Sequence, residues 1–234
     1  MSGNPNWDPE QYLRFGDERL RPALDLLARV PHPGPARVVD LGCGAGSAMP
    51  ALRARFPGAE LRGVDGSAEM LAKARAAGFD TEQADIAAWA PAEPVDVLFS
   101  NAALHWLPAH EALFPRLLGC LAPGGVLAVQ MPHMHAAPVR AAQDRLAADG
   151  PWAGRLRGVA SAPPVPDPAW YYDLLAPRTA APAIGGRACT LAALAVAAIP
   201  TGARRRRALP RGRAACPLPA LRKDFLVHPG QVFQ

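Results

Sequence analysis

From Ala36 onward, short apolar runs alternate along the chain with stretches whose apolar residues recur at helical spacing. Ala36 to Leu41 reads as a buried strand and Ser47 to Arg55 as the helix after it. Glu60 to Asp65 and Ala68 to Ala77 repeat that pair, and Thr81 to Ala84 is a weaker third strand. Val95 to Ser100 predicts a fourth strand, Glu111 to Leu121 a helix, and Val126 to Gln130 a fifth strand. Strands that alternate with helices of this length pair in parallel through right-handed crossovers. Their runs are continuous rather than alternating, which fits a sheet covered on both faces. The expectation is a doubly wound, mostly parallel α/β domain. A helix over Pro9 to Val30, with Leu20, Leu24 and Leu27 on one stripe, packs beside it. Another helix is expected over Pro138 to Asp149, then a Pro-rich loop, Ala162 to Pro168, leading into Trp170 to Leu175.

Composition changes this picture at one end. The 234 residues are half hydrophobic, enough for a core, and carry a formal charge of +5. That charge is unevenly placed. Residues 1–173 hold 15 basic and 19 acidic residues, a net −4; the last 61 hold 10 basic and one acidic, a net +9. All five Trp and all three Tyr lie in the first part. The polar start, with Asp8 and Glu10, is not a signal-peptide pattern, and the longest apolar run, Thr190 to Pro200, is too short for a bilayer. Cys43, Cys120, Cys189 and Cys216 are widely spaced and form no C-x-x-C pair. The expected setting is the cytoplasm, with reduced cysteines and no membrane association.

The most specific motif is Val38-Val-Asp-Leu-Gly-Cys-Gly-Ala-Gly-Ser47, placed where the first strand gives way to a helix. Gly42, Gly44 and Gly46 let the backbone turn sharply and approach a ligand. A dinucleotide fingerprint would need Gly where Ser47 stands, which counts against NAD or FAD. Asp65 ends the second strand, where a carboxylate can accept both hydroxyls of a ribose. Asp85, after the third strand, has the chemistry to accept from an adenine amino group, with Ile86 against the ring. Asn101 follows the fourth strand. All converge on the carboxyl edge where open α/β sheets bind ligands, and together they indicate a nucleoside-type cofactor.

In these residues the chain resembles the class I S-adenosylmethionine-dependent methyltransferases. The acid-x-Gly-x-Gly-x-Gly loop of that family is matched by Asp40, Gly42, Gly44 and Gly46, its ribose acid by Asp65, followed by Ser67, and its adenine acid by Asp85. Pro123-Gly-Gly125 matches a further family feature. Within the family, the likeness is closer to enzymes that esterify a small polycarboxylate. It runs from about residue 7 to about 180, through Trp7 to Phe15, Glu18 to Ala23, Leu26 to Pro31, Asn101 to Pro108, Val126 to Pro132 and Tyr171 to Leu175. The resemblance implies S-adenosylmethionine as cofactor and a carboxylate monomethyl ester as product. No dedicated base is expected, because a carboxylate is ionised and nucleophilic at neutral pH. Arg14, Arg19 and Arg21 are candidates to hold the remaining carboxylates by bidentate pairing, and His105 and Trp106 are candidates to line the substrate side. Tyr12 and Phe15 fit either a cap over the cofactor or a helix core. His133-Met-His135 lacks a third ligand, so no metal is expected.

Beyond Thr179 the resemblance stops, and the chain becomes rich in Ala, Arg and Pro. The expected division is a methyltransferase domain with an N-terminal helical cap at residues 1–179 and a tail at 180–234, aberrant or poorly ordered. Three readings stand for the tail: a basic segment for nucleic acid or membrane, a family-specific cap, or a shifted reading frame in a GC-rich gene. The simultaneous loss of acids and aromatics favours the frame shift. A sheet left without its last strands would then expose an edge. The Arg clusters lack aromatic interleaving and the body is acidic, so nucleic acid is a weak reading. Methylation of another small acid, or cofactor binding without catalysis, remain the alternatives.

Overall fold

The computed structural model describes residues 16–133, 138–156, 165–187 and 191–198. All of them fall in one compact unit, Met1–Gly202. In chain order the elements are α1 (Gly16–Leu27), β1 (Arg37–Leu41), α2 (Met49–Arg55), β2 (Glu60–Asp65), α3 (Ala68–Ala76), β3 (Asp80–Gln83) and β4 (Val95–Asn101). They continue with a 3-10 turn (Leu104–Trp106), α4 (His110–Gly119), β5 (Leu121–Pro132), α5 (Pro138–Asp149), α6 (Ala153–Leu156), α7 (Pro168–Leu175), β6 (Thr179–Arg187) and β7 (Leu191–Ala198).

The sheet has the order β3-β2-β1-β4-β5-β7-β6. β1 to β5 are mutually parallel, as the alternation of strands and helices predicts. The two neighbours of the first turn, β1 and β4, lie side by side, so the chain winds outward in both directions from their junction. In such sheets the ligand crevice opens at the carboxyl ends beside this junction.

Both faces are covered, which explains why the central strands β1, β4 and β5 carry mostly apolar, buried runs, whereas β3 at the edge is polar. On one face Val38, Val97, Phe99, Val126 and Ala128 pack with Leu52 of α2 and with Ala23, Leu26 and Leu27 of α1. On the other, Val39, Leu41, Leu98, Leu127, Val129 and Met131 pack with Phe114 and Leu117 of α4 and Tyr171 and Leu175 of α7. Truncating a fully buried ring such as Phe99 to Ala costs about 3–5 kcal/mol in cores of this kind. The stripe on α1 differs from the expectation in one position. Leu24 faces solvent and Ala23 takes the buried place, because the helix turns its Ala23, Leu26 and Leu27 edge to the sheet.

Asp96 fixes the start of β1, its Oδ2 accepting from the backbone N–H of Ala36 (2.8 Å) and Arg37 (2.9 Å). Exposed pairs of Arg62 with Asp80 and of Arg37 with Glu93 cross the sheet edge, where ion pairs contribute at most about 1 kcal/mol each.

The sheet is not left without its last strands. β7 pairs antiparallel with β5, from Val126↔Ala197 to Pro132↔Leu191, and β6 pairs antiparallel with β7. The Ala-rich run that composition alone marks as aberrant contains Leu191, Leu194 and Val196, and its backbone completes a ladder on the edge of β5. No helix among the described residues is long and apolar enough to cross a membrane.

Candidate functional site

The glycine loop leaves β1 at Leu41 and reaches α2 at Met49. Gly42, Gly44 and Gly46 all have positive φ, at 81°, 54° and 82°, a conformation that side chains rarely adopt. Gly42 also needs its lack of a side chain for space: a Cβ there would lie 2.2 Å from Ala103 Cβ and 3.3 Å from Ile86 Cδ1. Its N–H and that of Cys43 donate to Val64 O of β2, at 2.7 and 3.1 Å. The hydroxyl of Ser100 donates to Leu41 O (2.7 Å), tying the end of β1 to β4.

Asp65, at the end of β2, organises the next layer. Its Oδ2 accepts from Gly44 N–H (2.9 Å) and its Oδ1 from Ser67 N–H (2.8 Å). The carboxylate is thereby oriented at the mouth of the loop, and each oxygen keeps a lone pair for a ligand hydroxyl. Ser67 caps α3, its Oγ accepting from Met70 N–H at 3.3 Å. Its part in the site is therefore to hold Asp65 and to begin the helix.

Asp85 begins a turn that closes on itself. Its Oδ1 accepts from Ala87 N–H (2.9 Å), and its carbonyl accepts from Ala88 and Trp89 N–H. Asp85 is exposed, while Ile86 reaches back against the glycine loop. The capping role and the ligand role are thus compatible in one carboxylate.

Asp40 and Asn101 form the floor. Asp40 pairs with Phe99 across β1 and β4, and Asn101 with Gln130 across β4 and β5, which puts Asp40, Asn101 and Gln130 on the same face of the sheet. Asp40 Oδ2, Asn101 Oδ1 and Gln130 Nε2 are buried and have no hydrogen-bond partner among the described residues. Burial pushes the Asp40 carboxyl up to about 7, and the nearby charge of Asp65 adds to it. Two buried acceptors without donors suit a cationic hydrogen-bond donor, and a glycine loop without Cβ atoms suits the body of a nucleoside-bearing amino acid. The residues present therefore fit S-adenosylmethionine, whose ammonium group has those donors. Cys43 packs in a small apolar cluster with Met49, Leu71 and Phe79; burial, then Asp40 and Asp65, push its thiol well above the usual range.

The fourth strand ends in strain. Ala102 has φ 52°, and its N–H donates to Gln130 O at 2.9 Å. A non-glycine residue in this conformation costs about 1–2 kcal/mol and is held by its surroundings. The chain then enters the 3-10 turn that carries His105 and Trp106, whose rings stack at 4.8 Å between centroids. Trp106 is 60% exposed, so its ring is not part of the core. His105 is half-buried with Nδ1 lacking a partner, and burial first, then His110, lower its pKa toward the neutral form.

On the N-terminal side, Tyr12, Arg14 and Phe15 lie outside the described residues. Arg19 is in α1 with its side chain outside the described set, and Arg21 is exposed on the same helix. His133 approaches Asp167 Oδ1 at 3.2 Å, and His135 is outside the described residues. Among the described residues no three His, Cys, Asp or Glu gather as a metal site.

Sequence reasoning missed two groups. The ring of His110 donates from Nε2 to Leu104 O (3.0 Å) and accepts at Nδ1 from Tyr171 Oη–H (2.5 Å). Arg116 donates to Ile86 O (3.1 Å) and to Trp89 O. Both lie in a helix legible only as an apolar stripe, and neither contact has a signal in local spacing.

Comparison with known proteins bears on the family and the fold. The family described as methyltransferase domain matches residues 12–173. Trans-aconitate 2-methyltransferase of Azoarcus sp. (strain BH72) is 55% identical over 178 residues, which is 74% of this chain and 69% of that protein. The enzyme of the same name from Methylobacterium radiotolerans is 49% identical over 180 residues, 75% of this chain and 69% of its own. Among solved structures, an S-adenosylmethionine-dependent methyltransferase from Mesorhizobium loti superposes with a TM-score of 0.56 at 22% identity, covering 76% of this chain and 97% of that one. The DhpI-SAH complex gives 0.60 at 19% identity, covering 82% and 89%. At these identities the structures bear on the fold.

Proposed function

Because the chain belongs to the methyltransferase family, with the class I S-adenosylmethionine-dependent fold, we propose that it methylates a carboxylate of trans-aconitate to give the monomethyl ester. The observation that carries this reading is the 55% identity over 178 residues, 74% of this chain, to trans-aconitate 2-methyltransferase. The floor of the site supplies independent support through its two unpartnered acceptors, Asp40 Oδ2 and Asn101 Oδ1.

S-adenosylmethionine, when bound, supplies a methyl group on a sulfonium centre that leaves as a neutral thioether. The chain's own residues then have three tasks. Asp65 and Asp85 hold the two ends of the adenosine, at hydroxyls and amino group, with Gly42, Gly44 and Gly46 making room and Ile86 against the ring. Asp40 and Asn101 accept from the ammonium group, and Tyr12 and Phe15 cover the cofactor. On the substrate side, Arg14, Arg19 and Arg21 pair with the carboxylates that do not react, and His105 and Trp106 form the wall.

No side chain needs to remove a proton, since the attacking oxygen is already anionic. The protein's contribution is alignment of that oxygen with the methyl group, and exclusion of water from a pair of opposite charges that neutralise each other as the bond forms. His105 suits this role: burial and His110 shift it toward the neutral form, whose ring N–H can donate a hydrogen bond to a carboxylate.

The test is transfer of labelled methyl to trans-aconitate by the full chain, with cis-aconitate and citrate alongside. Preference for trans-aconitate supports the reading. Equal or better transfer to another small acid moves the substrate and keeps the reaction class.

A further inference from the structure

Helix α4 touches both halves of the site without contributing a residue to either. At its first turn, the His110 ring bonds Leu104 O, the carbonyl that opens the turn carrying His105 and Trp106. A carbonyl only accepts, so Nε2 carries the proton, and Nδ1 is the acceptor for the Tyr171 hydroxyl of α7. His110 is buried, and its ring also packs against Phe114 and Tyr171, at 5.4 and 5.9 Å between centroids. Six residues further along, the Arg116 guanidinium spans Ile86 O and Trp89 O, the carbonyls that close the turn begun by Asp85. Trp89 is itself buried in the core beside Leu113 and Leu117.

The two turns held in this way meet at one place. Ile86 Cδ1 and Ala103 Cβ are the two side-chain atoms that a Cβ on Gly42 would strike. The adenine-side turn and the substrate-side turn therefore close on the first glycine of the loop, and α4 fixes the distance between them from behind. Neither turn has a regular ladder to hold it: one follows the four-residue edge strand β3, and the other follows the strained Ala102.

We infer that α4 is a common strut for the two turns, with Arg116 a positioning residue for cofactor recognition through Asp85 and Ile86, and His110, backed by Tyr171, a positioning residue for the substrate turn. This rests on the proposed methyltransferase reading. It makes the two residues separable although they share a helix. Loss of the Arg116 contacts frees the Asp85 turn and weakens cofactor binding. Loss of the His110 contact frees Leu104 and weakens binding of the carboxylate substrate.

The experiment uses the full chain, with calorimetric titration of S-adenosylhomocysteine and separate KM values for S-adenosylmethionine and trans-aconitate. Arg116→Met keeps the aliphatic stem and removes the donors; Arg116→Lys keeps one donor. His110→Phe keeps the ring volume, and Tyr171→Phe removes a single hydroxyl. Arg116→Met is expected to raise the S-adenosylhomocysteine Kd and the cofactor KM by tenfold or more, with the trans-aconitate KM within about threefold of the parent. Arg116→Lys recovers part of the loss. His110→Phe shows the opposite split, and Tyr171→Phe the same split at smaller size. Unchanged Kd in Arg116→Met, or equal changes of both KM values in both variants, overturns the inference, the latter pointing to a general packing role. If Arg116→Met or His110→Phe does not fold, Arg116→Lys and Tyr171→Phe decide by the same split. A parent chain that binds no S-adenosylhomocysteine instead overturns the proposed function.

Discussion

Asp40 shows how a single residue ties binding to stability. Its carboxyl is 2% exposed and raised to about 7 from an ordinary 3.8, by burial first and by Asp65 second. Between those values the folded protein holds a proton that the unfolded chain has released, so stability falls as pH rises through that window. A bound ammonium group offsets the burial of the charge and favours the ionised form. Without cofactor, Tm is expected to fall by roughly 5 °C or more between pH 5 and pH 8, measured by scanning calorimetry. The stabilisation by S-adenosylhomocysteine is expected to grow over the same interval. Asp40→Asn flattens both curves; a variant that keeps the parent's pH dependence assigns the proton elsewhere. Gly42 supplies a second test at this scale. Gly42→Ala places a methyl group against Ala103 at a φ of 81°, and is expected to reduce S-adenosylhomocysteine affinity more than a hundredfold. Gly58→Ala, with open space and no positive φ, is expected to leave it unchanged.

Among the elements, legibility followed local periodicity. β1 with its glycine loop, β2 ending in Asp65, and β4 ending in Asn101 were all evident from the sequence, because each is a short strand-length run that ends in a chemically distinctive residue. The strand ends proposed for the cofactor side were therefore legible without the structure. α4 was visible as a stripe of Leu113, Phe114, Leu117 and Leu118, but its polar work at His110 and Arg116 depends on partners 6 to 61 residues away and had no local mark. β6 and β7 were hidden for the opposite reason. Their Ala and Gly content is poor in strand-forming side chains, and the ladder with β5 is what places them. These strands carry a prediction. A chain ending after residue 178 lacks both and leaves the edge of β5 open, so it is expected to aggregate, whereas a chain ending after residue 202 is expected to keep the Tm and cofactor affinity of the parent. Size-exclusion chromatography and calorimetric titration of the two truncations check this; equal behaviour contradicts the structural role of β6 and β7.

For the whole molecule, the overall charge of +5 is a poor guide, because the site lies in the acidic part of the chain. A cationic cofactor and an anionic substrate must meet there; the acids at the ends of β1 and β2 are proposed for the first and the arginines before and within α1 for the second. We propose further that the Ala-, Arg- and Pro-rich composition from near residue 180 onward comes from a shifted reading frame, although its first part still pairs on β5 as β7 and β6; translation of the coding DNA in the other two frames tests this directly. The central claim concerns the body of the chain and is most directly tested by one coupled measurement: calorimetric binding of S-adenosylhomocysteine to the full chain, followed in the same preparation by methyl transfer to trans-aconitate. The account predicts one site per chain and a monomethyl ester as product. An absence of cofactor binding by a folded chain would contradict it.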